Sequence, residues 1–412
     1  MLSDILQWTG TILFCLALPP LLWQGIVAAM GVFPLRRGRR QEERRYRFAV
    51  IACARHEEAV IGNLVDSLLA QDYPRECFDV FVVADNCLND DTAGQARRHG
   101  AIVYERFNRR KVGKGYALSW ALEQIDQDYP GRYDAVAVFD ADNLAAPNFL
   151  TEINAALCSG ADVAQGYRDV KNPDDSWVSN CYGVYWMMLT RFYHRARFNW
   201  GLSCMVGGTG FAFKKNILGP EGWNTHTLTE DLEFSVRQAC EGRHIVPVYG
   251  AVFYDEQPAE FGLSLRQRFR WVAGTVQIFR LYLPGILRRL CRHPTPALAD
   301  ATAYLLAVPA VAMTTVSGML TALGLALDPA AAYWSLAWLM LSFVGGWLAM
   351  SILALMTVRI EGKPLRQYRR AVLLYPAFLM PMAYMIFVAV VHSRVEWKPI
   401  AHSQSKTIAD MR

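Results

Sequence analysis

An α/β domain with a mostly parallel sheet, set between apolar helices long enough to cross a bilayer, is the architecture this sequence predicts. Three observations predict it. Charged residues are absent from 5–35, 301–327 and 329–358, each run exceeding the roughly 20 residues that carry a helix across about 30 Å of hydrocarbon. Between these runs, short apolar stretches alternate with amphipathic ones, the pattern of βαβ units. The composition of the 412 residues agrees, with 53% hydrophobic and only 19% charged residues, against about 25% charged in soluble domains. A disordered chain, a collagen-like fibre and a small disulfide-stapled module are excluded.

The elements follow in order. Residues 1–35 read as a membrane helix retained as an anchor with its N-terminus outside. The stretch is too long for a signal peptide and lacks a basic leader. Seven arginines between 36 and 47 form a basic linker that marks the cytoplasmic side, a better account of the +5 net charge than nucleic-acid binding. Residues 48–260 then form the α/β domain: strands at 48–53, 78–83, 101–104 and 135–139, helices at 57–70 and 114–125. Residues 261–293 form an amphipathic helix lying along the inner leaflet, with seven arginines among Leu265, Phe269, Val272, Val276, Phe279 and Leu283. Residues 298–358 hold two more spans around the turn Asp328-Pro329. Residues 364–392, with Pro376 and Pro381 in their apolar part, read as an interfacial or re-entrant helix, and 393–412 as a cytoplasmic tail. The nine scattered cysteines show neither CxxC nor Cys/His ligand spacing, which indicates neither a disulfide framework nor a zinc site.

Ligands of such a sheet sit beyond the carboxyl ends of its strands, and there the sequence places Ala54-Arg55-His56-Glu57, Ala84-Asp85-Asn86 and Asp140-Ala141-Asp142. Neither GxGxxG nor GxxxxGK[ST] is present, so a dinucleotide fold and a P-loop are not supported. Two carboxylates two residues apart on a turn offer hard oxygen ligands to Mg²⁺ or Mn²⁺, an ion completed by substrate phosphates. Taken alone, Asp-Ala-Asp is more often a solvated turn after a strand.

Four ordered signatures, Ala84-Asp85-Asn86-Cys87, Asp140-Ala141-Asp142, Thr229-Glu230-Asp231 and Gln267-Arg268-Phe269-Arg270-Trp271, resemble the family 2 glycosyltransferases of GT-A fold. The likeness is greatest to the membrane-embedded synthases of cellulose, chitin, hyaluronan and poly-N-acetylglucosamine, and covers about 48–290. The resemblance implies a nucleotide-sugar donor, UDP-linked by preference. Asp85, Ala54, Glu57, Lys114, Asp140, Gln267, Arg270 and Trp271 would contact this donor, and Asp140 and Asp142 would hold Mg²⁺ or Mn²⁺. Asp231 would be the general base, flanked by Glu230 and Thr229. Gly208, Thr209 and Trp271 would line the acceptor side, and Trp397, in Glu396-Trp397-Lys398-Pro399, would belong to a gating loop. The first loop departs from the family pattern P-A-x-N-E, and an Asp-Gly-Ser turn is replaced by Asp85-Asn86-Cys87.

Each motif also has a plainer reading. Thr229 suits a helix cap with acids in the first turn. Gln267, Arg270 and Trp271 fall at i, i+3 and i+4 on one helix face; an arginine and tryptophan there also suit a membrane anchor, but an amide does not. A single base fits an inverting displacement, whereas a glycosidase would need a facing pair of acids. The expected protein is an integral membrane glycosyltransferase of a bacterial-type inner or plasma membrane, its catalytic domain cytoplasmic. It would extend a polysaccharide processively and export it, with transfer to a lipid such as ceramide or diacylglycerol as the alternative. A transporter would place charges inside the spans, and there are none. The partners expected are the nucleotide sugar, the saccharide or lipid acceptor, the bilayer and possible further copies of the chain.

Overall fold

The computed structural model describes residues 1–35, 44–327, 332–391 and 406–411. Trp397 and most of the basic linker lie outside the described residues. The chain opens with α1 (Leu2–Ala29). The α/β domain follows as β1 (Phe48–Ala54), α2 (Ile61–Leu69), β2 (Phe78–Asp85), α3 (Thr92–Arg98), β3 (Ile102–Arg106) and α4 (Lys114–Asp128). It continues with β4 (Ala135–Asp140), β5 (Leu144–Ala145), α5 (Phe149–Cys158), β6 (Val163–Val170), α6 (Trp177–Met188), a π-helical turn at Leu189–Arg195, and α7 (Ala196–Trp200). It closes with β7 (Phe211–Lys214), α8 (Glu230–Cys240) and β8 (Ile245–Asp255). Last come α9 (Phe261–Arg292), α10 (Pro296–Ala326), α11 (Ala332–Ile360), α12 (Leu365–Leu379) and α13 (Pro381–Val391).

The eight strands form one sheet in the order β3-β2-β1-β4-β7-β6-β8-β5. β1 runs parallel to both β2 and β4, and β7 is antiparallel to its neighbours. These strands are apolar at nearly every position because the sheet is covered on both faces. Phe48, Val50 and Ala52 turn toward α2 and α5, while Ala49 and Ile51 turn toward α4. On α2, Ile61, Leu64, Val65 and Leu68 supply the helical stripe that fills the first layer. That helix starts at Ile61 rather than at 57, since Glu57 and its neighbours make the turn leaving β1.

Register decides where the site forms. Ala54 pairs with Ala84, and Cys53 with Asp140, so the loops after β1, β2 and β4 emerge together on one rim. β1 lies between β2 and β4, where the chain's winding reverses, and a crevice opens at such a switch point.

Four helical segments are long and apolar enough to cross a membrane: Leu2–Val32, Pro296–Ala326, Leu336–Ile360 and Leu365–Val391. The last comprises α12 and α13, which meet at Met380, ahead of Pro381. The helix α9, 32 residues long, carries too many arginines to be among them. Small residues bring α1 and α10 together. The Ser317 hydroxyl donates to Gly10 O at 2.7 Å and that of Ser3 to Gly324 O at 2.8 Å; a side chain at Gly10 would meet Thr321.

Two buried ion pairs fasten these helices to the α/β domain. Arg197 meets Asp300 at 2.8 Å, Asp300 also accepts from Trp23 Nε1 at 2.8 Å, and Arg197 donates to Gln24 at 2.6 Å. Arg191 meets Glu361 at 2.6 Å, and Tyr167 donates to the other oxygen of Glu361 at 3.1 Å.

Candidate active site

The end of β2 delivers Asp85, which is buried and ion-paired with Arg106 of β3 at 2.5 Å. Arg106 also donates to Lys111 O at 2.8 Å and thereby ties down the loop that leads to Lys114. The next residue, Asn86, has φ of 56° and is held by paired bonds with the Asn108 backbone, at 3.2 and 2.8 Å. Ala54 is buried and offers only backbone to a ligand; Glu57 is buried, with its N–H donating to the Thr92 hydroxyl at 2.9 Å.

The two aspartates after β4 are not equivalent. The Asp140 side chain is 40% exposed to the cleft and ion-paired with Lys114, whereas Asp142 is only 5% exposed. Asn143 donates to Asp142 at 3.2 Å and to Asp255 at 2.8 Å, and Lys171 donates to Asp142 O at 3.3 Å. Among the described residues no group of three or more His, Cys, Asp or Glu side chains is placed to hold a metal. Asp140 and Asp142 therefore offer two hard oxygen donors, which suits Mg²⁺ or Mn²⁺ because such ions keep the remaining positions for phosphates and water.

Lys114 stands at the start of α4, its ammonium bonded to both Asp140 Oδ1 and, at 2.6 Å, to Gly208 O. Burial works against that charge, but Asp140 and then Glu230 outweigh it, so the Lys114 pKa is raised. Gly208 has φ of +82°, and a β-carbon there would lie 3.2 Å from Asp231 Oδ2. One lysine thus spans from the Asp-Ala-Asp turn to the loop that packs on Asp231. Thr209, expected on the acceptor side, does not face the cleft. It is fully buried; its hydroxyl accepts from Asp140 N–H at 2.8 Å and bonds to Asn143, propping the aspartate turn from behind.

Asp231 and Glu230 lie half-buried in the first turn of α8. Asp231 Oδ1 accepts from Leu232 N–H at 2.8 Å. Burial raises the Asp231 pKa, opposed by that bond and by the charges of Lys114, Arg270 and Arg168. Burial and then the Asp231 charge push Glu230 up to about 7, against Lys114 and Arg270. Thr229 occupies the N-cap position but makes no capping bond. Its buried hydroxyl has no partner among the described residues, and its side chain packs over Gly274 of α9. Glu233 instead ties down the loop ahead of the helix, accepting from the N–H groups of His226 and Thr227 at 2.8 and 2.7 Å.

From α9, Arg270 comes within electrostatic reach of Glu230 and Asp231. Gln267 accepts from Tyr182 OH at 2.9 Å. Trp271 lies parallel to Tyr185 at 6.1 Å and edge-on to Trp186 at 5.7 Å. Arg168 of β6 went unnoticed in the sequence: it pairs with Asp255 at 3.3 Å, bonds Gly207 O and lies 4.0 Å over the Trp186 ring. Arg106 was missed likewise. Their only sequence signal is a basic residue near the end of a strand. A groove of about 850 Å³ lies on the opposite rim between Arg44 and Trp223, away from all of these residues.

Residues 45–274 match the model of the family described as glycosyltransferase like family 2. The chain is 24% identical over 242 residues to YdaM of Bacillus subtilis, named as a probable glycosyltransferase, covering 57% of this chain and 56% of that protein. It is also 24% identical over 246 residues to the beta-monoglucosyldiacylglycerol synthase of Synechocystis, covering 60% and 50%. The chain thus spans about half the length of the curated relatives it matches. Among solved structures, a mannosyltransferase of Pyrobaculum calidifontis in complex with GDP-Man and Mn²⁺ superposes with a TM-score of 0.62 at 17% identity, over 94% of this chain and 98% of that one. That likeness is one of fold and extends over nearly the whole chain, the apolar helices included. With the match covering more than half of the chain, this protein belongs to glycosyltransferase family 2, and its fold is GT-A.

Proposed function

We propose that this enzyme transfers a sugar from a nucleotide-diphosphate sugar, UDP-linked by preference, to the hydroxyl of a lipid acceptor at the cytoplasmic face of the membrane, with inversion at the anomeric carbon. The observation that carries the reading is the link from Asp140 through Lys114 and Gly208 to Asp231, with Arg270 of the interface helix facing the same acids.

Each group has a part. Asp85 faces the base, and Lys114 and Arg270 attract the diphosphate, whose charge they match. Asp140 and Asp142 would hold Mg²⁺ or Mn²⁺, which when bound takes up charge developing on the leaving diphosphate. Asp231 accepts the proton of the acceptor hydroxyl. The oxygen so freed bonds to the anomeric carbon, while the bond from that carbon to the diphosphate oxygen breaks and the nucleotide leaves with the electron pair. The raised pKa of Asp231 makes it a better proton acceptor than a surface carboxylate.

Two observations favour a lipid over a growing polymer. The spans α1 and α10 are in direct contact through Gly10 and Gly324, and α11 is exposed along most of its length, so among the described residues these helices do not surround a glycan-sized passage. A relative of this chain is named as a synthase of a glycosyl lipid. The second reading, processive synthesis with export, draws on Gln267, Arg270 and Trp271 together with Asp231 and the flanking spans. The purified chain, supplied singly with UDP- and GDP-sugars, Mn²⁺ and bilayer lipids, distinguishes them by product size. One lipid bearing a single added sugar supports the first; a high-molecular-weight glycan supports the second and ends the first.

A further inference from the structure

Beside Asp231, on the side of the bilayer helices, lie two tyrosines that the transfer chemistry leaves unused. Tyr185 projects from α6, half-buried, its ring parallel to Trp271 and edge-on to Trp186 at 5.0 Å. Tyr304 projects from α10, itself a candidate membrane span, and packs edge-on against Tyr193 at 5.4 Å. It borders a cleft between α8 and α10 that is also lined by Ser203, Met205, Leu232 and Val236, and Leu232 adjoins Asp231. Tyr304 lies within electrostatic reach of Tyr185 and of Asp231, and Tyr185 of Asp231.

Their hydroxyls, like that of Tyr193 in the same cleft, contrast with those of three other tyrosines. Tyr182, Tyr249 and Tyr282 donate to Gln267, Thr190 O and Glu233, at 2.9, 2.8 and 2.7 Å. Among the described residues, Tyr185 and Tyr304 have no hydrogen-bond partner. Partly withdrawn hydroxyls of this kind retain free donor and acceptor capacity, and here two of them, from separate elements, lie within electrostatic reach of the carboxylate assigned to deprotonate the acceptor. An alcohol with one lone hydroxyl would give that hydroxyl to Asp231 and leave both tyrosines unmet.

We propose that Tyr185 and Tyr304 bind the acceptor through an oxygen adjacent to its reacting hydroxyl, so that the preferred acceptor is a lipid with a glycerol or sugar headgroup rather than a simple long-chain alcohol. The inference rests on the lipid-acceptor reading above and deepens it. A site that hydrogen-bonds a substrate oxygen rejects the analogue lacking it far more strongly than an apolar pocket rejects a missing methylene. The membrane helix α10 would thereby take part in specificity.

The test uses the full-length purified chain in detergent, with the nucleotide sugar that supports transfer and with dodecanol, 1-O-dodecylglycerol and dodecyl glucoside as acceptors. The wild type is expected to favour the glycerol and glucoside over dodecanol by about 30-fold or more in kcat/KM. Tyr304→Phe and Tyr185→Phe are each expected to reduce that ratio about tenfold. The ratio is the readout because partial misfolding lowers both rates alike. Equal use of dodecanol and dodecylglycerol by the wild type, or an unchanged ratio in both variants, overturns the proposal while leaving the lipid reading intact. Glycan polymer with none of the three acceptors modified overturns the lipid reading itself and the proposal with it.

Discussion

Gly208 lies against Asp231, close enough that a β-carbon at 208 would sit 3.2 Å from Asp231 Oδ2, with the backbone at φ of +82°. Both the contact and the left-handed conformation exclude a larger residue without displacement. The Gly208→Ala variant is therefore expected to lose at least about tenfold in kcat, from a misplaced carboxylate. Its Tm should fall by only a few degrees, since the strain amounts to about 1–2 kcal/mol. An unchanged kcat in a steady-state assay would show that the loop yields freely.

Asp231→Asn removes the proposed proton acceptor while keeping the side chain's shape. Loss of a general base costs about 10²- to 10⁴-fold, so turnover should fall by that amount. Nucleotide affinity by calorimetry should stay within about threefold, because a general base acts on the reacting hydroxyl rather than on the nucleotide. Retained turnover would remove Asp231 from the role.

The acids of α8 give a pH dependence of definite sign. Burial holds Glu230 up to about 7, from the ordinary 4.5. The folded state binds this proton more tightly than the unfolded chain, so stability falls as pH rises between those two values. Glu230→Gln should flatten Tm across that window. The acid limb of the rate profile should persist in this variant, because burial comes first among the causes that raise Asp231. A Tm curve still as steep in Glu230→Gln would place the titrating group elsewhere.

Arg197 and Asp300 meet inside the junction between α7 and α10. Removing one member of a buried pair costs about 3–5 kcal/mol by leaving the other charge unmatched. Arg197→Leu should lower Tm markedly, and Arg197→Leu combined with Asp300→Leu should recover part of the loss. A thermal melt in detergent showing no recovery in the double variant would contradict that account.

Thr229 presents the opposite case, since its buried hydroxyl has no partner among the described residues. Replacing an unsatisfied buried hydroxyl with a methyl group is neutral or stabilising. Thr229→Val should hold or raise Tm, and a clear drop would show that the hydroxyl is engaged.

The class of the protein is written in local patterns of its chain. Apolar runs at 5–35, 301–327 and 329–358 are long enough to cross a bilayer, and β1, β2 and β4 are legible because a sheet covered on both faces favours apolar residues at nearly all their positions. The order of Asp85, Asp140, Asp231 and Gln267-Arg268-Phe269-Arg270-Trp271 pointed to the family before any geometry was known.

Which of those residues face the cleft depends on how the elements pack. Thr209 and Thr229 sit inside motifs that name them as site residues, yet packing turns the first behind Asp140 and lays the second over Gly274. Arg106, Arg168, Tyr185 and Tyr304 carry no local mark, since each reaches the site from a strand or helix distant in the chain. Spacing along a chain records which elements form and which face of each is apolar. Which side chains from separate elements end up on one ligand depends on sheet register and helix packing, and these are set by contacts that no local segment contains.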